Sequence, residues 1–175
     1  AAWDYTHGLT TRFIAVLDCG VYDVTSAPAF PGHADLNGKV VQRQDFTGSA
    51  SGPDDLCDHG SHVAGIAAAN TNNALGVAGV GYNTLLFNGK VLNDGGSGTF
   101  SWIAEGIYWA TDLGADVINM SLGAVGSCGA TEQDAINYAF SRGTVVVAAA
   151  GNHGSTAVAT PAVCNNTLSV GNTTS

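Results

Sequence analysis

The sequence predicts an α/β fold: a three-layer, doubly wound, mostly parallel sheet with helices on both faces. Four short runs, residues 13–17, 85–92, 116–120 and 144–150, are β-branched and nearly continuous in apolar character. Strands buried on both faces read this way. Gly, Asn or Asp flanks them, and stretches of helical spacing separate them. Alternating strands and helices imply parallel strands joined by right-handed crossovers. In such sheets active residues gather at the carboxyl ends of the strands.

The elements follow in order. The strand over 13–17 (FIAVL) ends at Asp18, and a weaker strand is expected near 39–42. Residues 45–58 (DFTGSASGPDDLCD) are rich in Gly, Ser and Asp and read as an exposed loop. An Ala-rich helix is expected over 60–70, then the strand over 85–92. The helix over 100–113 places Ile103, Ile107 and Ala110 on one face and stops at Gly114. After the strand over 116–120, a helix over 131–141 opens on Thr131-Glu132-Gln133-Asp134, a cap with acids in its first turn, and ends before Gly143. The strand over 144–150 and a weaker one near 168–170 complete the pattern. No repeat, low-complexity tract or interdomain linker interrupts residues 1–175, which read as one domain.

Composition narrows the function. A chain of 175 residues, 45% of them hydrophobic, can bury a substantial core. A net charge of −9 repels nucleic-acid phosphates, and the five basic residues, Arg12, Lys39, Arg43, Lys90 and Arg142, stand singly. No apolar run approaches the roughly 18 residues of a membrane span. No basic region followed by an apolar stretch opens the chain, so no signal peptide is visible. The 24 Gly, the 11% charged residues and the acidic balance match exported hydrolases, so a secreted, extracellular protein with its targeting segment removed is expected. Cys19, Cys57, Cys128 and Cys164 form no C-x-x-C pair. Their even number permits two disulfides in an oxidising compartment, and spacing leaves all three pairings open.

Three polar residues stand where a parallel sheet exposes them. Asp18 ends a strand, His59 opens a helix in Asp58-His59-Gly60-Ser61-His62, and Asn152 follows a strand in Ala150-Gly151-Asn152. Together they suit nucleophilic acyl transfer, with His59 as base, Asp18 fixing its tautomer and Asn152 donating to the oxyanion. Taken singly, the Asp reads as a turn former, the His as solvated and the Asn as a turn residue. His62, three residues after His59, also permits an H-x-x-H metal pair. His7, His33 and His153 read as exposed loop residues. The glycines of 76–81 (GVAGVG) are out of order for a dinucleotide-binding fingerprint.

On residues 13–20, 33–41, 58–68, 90–109, 117–123 and 145–152, in this order and at compatible spacing, the chain resembles the subtilisin family of serine proteases, including its extracellular bacterial members. The resemblance implies a subtilisin-like fold, with Asp18 and His59 as triad residues and Asn152 as oxyanion donor. It implies that Ser121, Leu122 and Gly123 line the primary specificity pocket, with Ala150 and Gly151 as another wall. Gly96, Ser97 and Gly98 would pair with extended substrate as an added strand. His62 would pack behind the site. Cys128 and Cys164 resemble paired positions in the extracellular members, which leaves Cys19 with Cys57. Calcium is the implied cofactor: Asp35 would supply a carboxylate, Asn73 a side-chain oxygen, and Thr71, Leu75 and Val77 their carbonyls, all hard oxygen ligands. An Asn-rich turn without an ion is the alternative.

The chain also departs from the family pattern. The family's nucleophile sits in a Gly-Thr-Ser segment, and none follows Asn152, where the serines are Ser155, Ser169 and Ser175. The family's N-terminal arm, which carries a further calcium ligand, is also missing. Between Asp18 and His33-Ala34-Asp35 the gap is longer than in most relatives, so residues 22–30 form an extra loop near the site. Cys19 stands where Thr or Ser is frequent. The expectation is a partial peptidase domain, cut at both ends and inert alone, whose parent cleaves polypeptides as a monomeric serine endopeptidase. The rival expectation is a non-catalytic scaffold of the same fold.

Overall fold

The computed structural model describes residues 2–22, 33–154 and 157–172. Most of the expected loop over 22–30 lies outside them, as do Ser155 and Ser175. Among the described residues one sheet holds β1 (Phe13–Asp18), β2 (Val40–Asp45), β3 (Leu85–Lys90), β4 (Val117–Met120), β5 (Val145–Ala149) and β6 (Thr167–Val170). The strand order is β2-β3-β1-β4-β5-β6, and every pair is parallel. The helices are α1 (His59–Ala68), α2 (Phe100–Asp112) and α3 (Ala130–Ser141). On one side of β1 the chain lays down β2 at the edge and then fills the gap with β3; on the other it builds outward through β4, β5 and β6. A crevice is expected at the carboxyl end of β1, where the winding reverses, and Asp18 occupies that end.

The alternation of a strand distributes β1 between two cores. Ala15 and Leu17 pack into the layer with Ile103, Ile107 and Ala110 of α2 and Ile136 and Ala139 of α3. Val16 faces the opposite layer, with Ala64 and Ala68 of α1. Ile107 is fully buried, which is worth about 1.5–3 kcal/mol relative to leaving such a side chain exposed. The start of α2 is fixed by Thr99, whose side chain accepts the Trp102 N–H at 3.2 Å. Its end comes at Gly114, at φ +82°. Mid-helix, a Cβ on Gly106 would lie 2.6 Å from Val91 Cγ1, so the close seating of α2 requires glycine there.

Three local expectations need correction. β2 runs to Asp45, and its polar half (Gln42, Arg43, Gln44) is paired through backbone to β3 rather than through apolar side chains. The loop over 45–58 is not simply exposed: Asp54 and Asp55 are buried. Arg43 Nη2 meets Asp54 Oδ1 at 2.7 Å, while Asp55 accepts the backbone N–H groups of Cys57 (2.9 Å) and Ser61 (2.8 Å). Helix α3 begins at Ala130 with Gly129 as its cap, because the Glu132 carboxylate accepts the Gly129 N–H at 3.4 Å, leaving Thr131 inside the first turn.

Candidate active site

Asp18 ends β1 with its side chain fully buried. His59 begins α1, and the two meet because α1 approaches the end of β1 closely. A Cβ on Gly60 would lie 2.0 Å from the Gly20 carbonyl oxygen, so glycine permits this approach. The start of α1 carries no side-chain cap from Asp58. Asp55 takes that part by accepting the Ser61 N–H, and its charge suits a helix N-terminus.

His59 Nδ1 lies 2.8 Å from Asp18 Oδ1 and 3.0 Å from Oδ2. A carboxylate only accepts, so Nδ1–H donates and Nε2 keeps its lone pair. Asp18 Oδ1 also accepts the Cys19 N–H at 2.8 Å. Burial pushes the Asp18 carboxyl above its ordinary range, and the hydrogen bonds of His59 and Cys19 offset this only in part. Beside it in the strand register is Lys90, fully buried. Lys90 Nζ donates to the carbonyls of Cys19 and Asp54 (the latter at 2.9 Å) and pairs with Asp94 Oδ1 at 3.0 Å. The end of β1, the loop before α1 and the turn after β3 are thereby tied to one buried ammonium.

A cleft of about 610 Å³ opens over this pair. Its lining brings together Asp18, His59 and Asn152 with Gly96, Ser97, Gly98, Ser121, Leu122 and Gly123. Ala150 and Gly151 do not line it. They stand beside it, with Ala150 accepting the Ala159 N–H at 2.9 Å and Gly151 at φ +108° turning the chain toward Asn152. Residues 96–98 are exposed and held by Asn93, whose Oδ1 accepts the N–H groups of Gly95 (3.0 Å) and Ser97 (3.1 Å). Ser121 Oγ accepts from Asn119 Nδ2 at 3.0 Å. The cleft also takes in Glu132 and Thr160, which the sequence reading did not assign to the site.

Asp35 is buried, and its carboxylate accepts from Asn73 Nδ2 at 2.6 Å and from the Val77 N–H at 2.9 Å. Gly76 lies against it, where a Cβ would fall 2.2 Å from Oδ2. Among the described residues no Lys or Arg pairs with Asp35. None of the carbonyls of Thr71, Leu75 and Val77 accepts a hydrogen bond there either. A buried carboxylate without a cation beside unclaimed carbonyls fits a hard divalent ion, whereas Asn73 Oδ1 is taken by the Leu75 N–H at 3.2 Å and would have to turn to ligate one.

The remaining histidines stand apart. His7, His33 and His153 are exposed, with His7 stacked on Tyr82 at 4.5 Å between ring centroids. His62 does not pack behind the site: it is exposed and lines a second cavity of about 450 Å³, with Tyr22, His33 and Ile66. Both cysteine pairs are joined, Cys19 to Cys57 (Cα–Cα 6.4 Å) and Cys128 to Cys164 (5.1 Å).

This sheet, with a buried Asp and a helix-opening His at its switch point, is a doubly wound, parallel α/β architecture. Residues 10–175 match the model of the subtilase family of peptidases, and the chain belongs to that family. It is 49% identical to a thermophilic serine proteinase of Bacillus sp. strain AK1, over 97% of this chain and 40% of that protein. It is 45% identical to thermitase of Thermoactinomyces vulgaris, over 98% of this chain and 58% of that protein. An extracellular protease of Xanthomonas campestris is 39% identical over 99% of the chain and 35% of its own length. Among solved structures, a protease from Pseudoalteromonas arctica superposes with a TM-score of 0.80 at 38% identity, over 96% of this chain and 57% of that one. Sphericase does so with a TM-score of 0.77 at 37% identity, over 93% of this chain and 53% of that one. The chain thus spans about half, or less, of the length of these proteins.

Proposed function

We propose that the protein is a secreted serine endopeptidase of the subtilisin type. The observation that carries this reading is the contact of His59 Nδ1 with the buried Asp18 carboxylate at the mouth of the cleft. Held this way, His59 Nε2 accepts the proton of an attacking serine hydroxyl and returns it to the leaving amine. Asp18 keeps the tautomer and stabilises the imidazolium that forms. The Asn152 amide donates to the oxyanion of the tetrahedral intermediate. Extended polypeptide adds a strand along residues 96–98, and Ser121, Leu122 and Gly123 receive a substrate side chain. The Ala150–Gly151 wall acts from behind, by placing Asn152. The name of the Xanthomonas relative supports an extracellular location.

The nucleophile is a serine that residues 1–175 do not supply in a Gly-Thr-Ser segment. Asp35, Asn73 and the carbonyls of Thr71, Leu75 and Val77 would hold a calcium ion, which would cross-link the loop after α1 to the turn that carries Asp35. A scaffold has no use for a buried carboxylate whose burial raises its pKa, which favours the catalytic reading over that rival.

The test is hydrolysis of a chromogenic peptide by a protein that carries the nucleophile as well. His59→Ala is expected to abolish turnover. Asn152→Ala is expected to lower kcat about 10²–10³-fold, the range known for this donor in subtilisin itself. Residues 1–175 alone are expected to leave the peptide intact. Hydrolysis insensitive to a serine-directed inhibitor would overturn the reading.

A further inference from the structure

We infer that Glu132 makes this cleft select a cationic side chain, lysine or arginine, at one position of an extended polypeptide. The inference rests on the endopeptidase reading of the cleft. Glu132 lies in the first turn of α3 with 1% of its surface exposed, and it lines the same cleft as His59 and Asn152. A first-turn acid is ordinarily a helix cap, and one carboxylate oxygen does serve in that way. Oε2 accepts from Thr160 Oγ1 at 2.8 Å and from the Gly129 N–H at 3.4 Å. Capping uses that oxygen alone. Oε1 is buried with no hydrogen-bond partner among the described residues.

A buried carboxylate oxygen without a donor is costly, and native proteins satisfy almost all such groups. The chain has no cation to spare for it. Arg12 pairs with Asp116, Arg43 with Asp54 and Lys90 with Asp94. Lys39 Nζ donates to the carbonyls of Tyr82 and Thr84, and Arg142 lies over the Tyr138 ring at 5.0 Å. No Lys or Arg lines the cleft among the described residues, whereas Phe100, Ile103, Leu122 and Ala124 do. These apolar walls suit the methylene stem of a long basic side chain, with its charged head on Glu132. No donor for Oε1 is present among the described residues, and the ammonium or guanidinium of a bound peptide supplies one together with the opposite charge. A net charge of −9 also draws cationic peptides toward the molecule.

The experiment measures binding of dye-labelled extended peptides to the 175-residue protein by fluorescence anisotropy. The peptides are identical except that each position in turn carries lysine, norleucine or glutamate. At one position lysine is expected to bind about tenfold or more tightly than norleucine, as a desolvated charge pair does, and glutamate more weakly than either. In Glu132→Gln, which keeps an oxygen for Thr160 and Gly129, the lysine-to-norleucine ratio is expected to fall to about one. Should that variant fail to fold by circular dichroism, the order lysine, norleucine, glutamate on the unmodified protein still decides the question. Equal binding of all three at every position would mean that a water satisfies Oε1, and would overturn the inference. A preference that persists in Glu132→Gln would overturn it as well, by locating the charge elsewhere. Failure to bind any extended peptide would instead sink the endopeptidase reading, and the inference with it.

Discussion

At Asp18 a carboxylate with no exposed surface gains hydrogen bonds from His59 Nδ1 and the Cys19 N–H, yet its native pKa stays above the ordinary value. Between the unfolded and the native pKa the folded state holds the proton that the unfolded state has released. Stability therefore falls as pH rises through that window, and the deficit remains at neutral pH. This is opposite to the usual paired carboxylate, whose contribution grows over the same range. The melting temperature of the protein, measured against Asp18→Asn, is expected to decline as pH is raised from below the ordinary carboxyl range toward neutrality. A difference that stays constant or moves the other way, in thermal melts at a series of pH values, would show that partners outweigh burial at this carboxyl. Stability given up at a working group is the common pattern at active sites.

The loop after α1 is tied to a single side chain. Its Asn73 amide, Val77 N–H and Gly76 backbone all converge on Asp35. Removal of calcium with a chelator is expected to lower the melting temperature, and added calcium to restore it. Asp35→Asn is expected to abolish that response, which differential scanning calorimetry would report; an unchanged melt in chelator would remove the proposed site. Elements of this kind differ in how far the sequence announces them. The strand at 13–18 is legible because both of its faces are buried toward its end, and those at 117–120 and 145–149 because their apolar residues run on although one face is only partly covered. Edge strand β2 is only half legible, since among the described strands Val-Val-Gln-Arg-Gln-Asp pairs with β3 alone and its second half is polar. Asp18 and His59 stand out because a strand end and a helix start expose them in recognisable local contexts. Glu132 and Lys90 do not, because what gives them meaning lies far along the chain: Thr160 for Glu132 and Cys19 for Lys90. Local pattern describes a residue's own turn, not the partner that folding brings to it.

At the scale of the whole molecule, two covalent links hold the cleft's borders. Cys19–Cys57 joins the end of β1 to the loop before α1, and Cys128–Cys164 joins the loop before α3 to the one after β5, across separations of 38 and 36 residues. Loops of this length correspond to about 3–4 kcal/mol per bridge from lost freedom of the unfolded chain. Reduction of both is expected to lower the melting temperature by roughly 10–30 °C, given about 2–4 °C per kcal/mol for a protein of this size. A melt in reductant within about 5 °C of the oxidised protein, with thiol alkylation confirming reduction, would show that the bridges contribute little. The strand order has a further consequence, in time. β1 leaves the ribosome before both of its neighbours, β3 and β4. At about 5–20 residues per second, the roughly 70 residues between β1 and β3 take on the order of 3–15 s to appear. Throughout that interval β1 lacks both of its partner strands, and Asp18 has no fixed place from which to meet His59. The site closes only after the sheet has grown backwards to its own beginning.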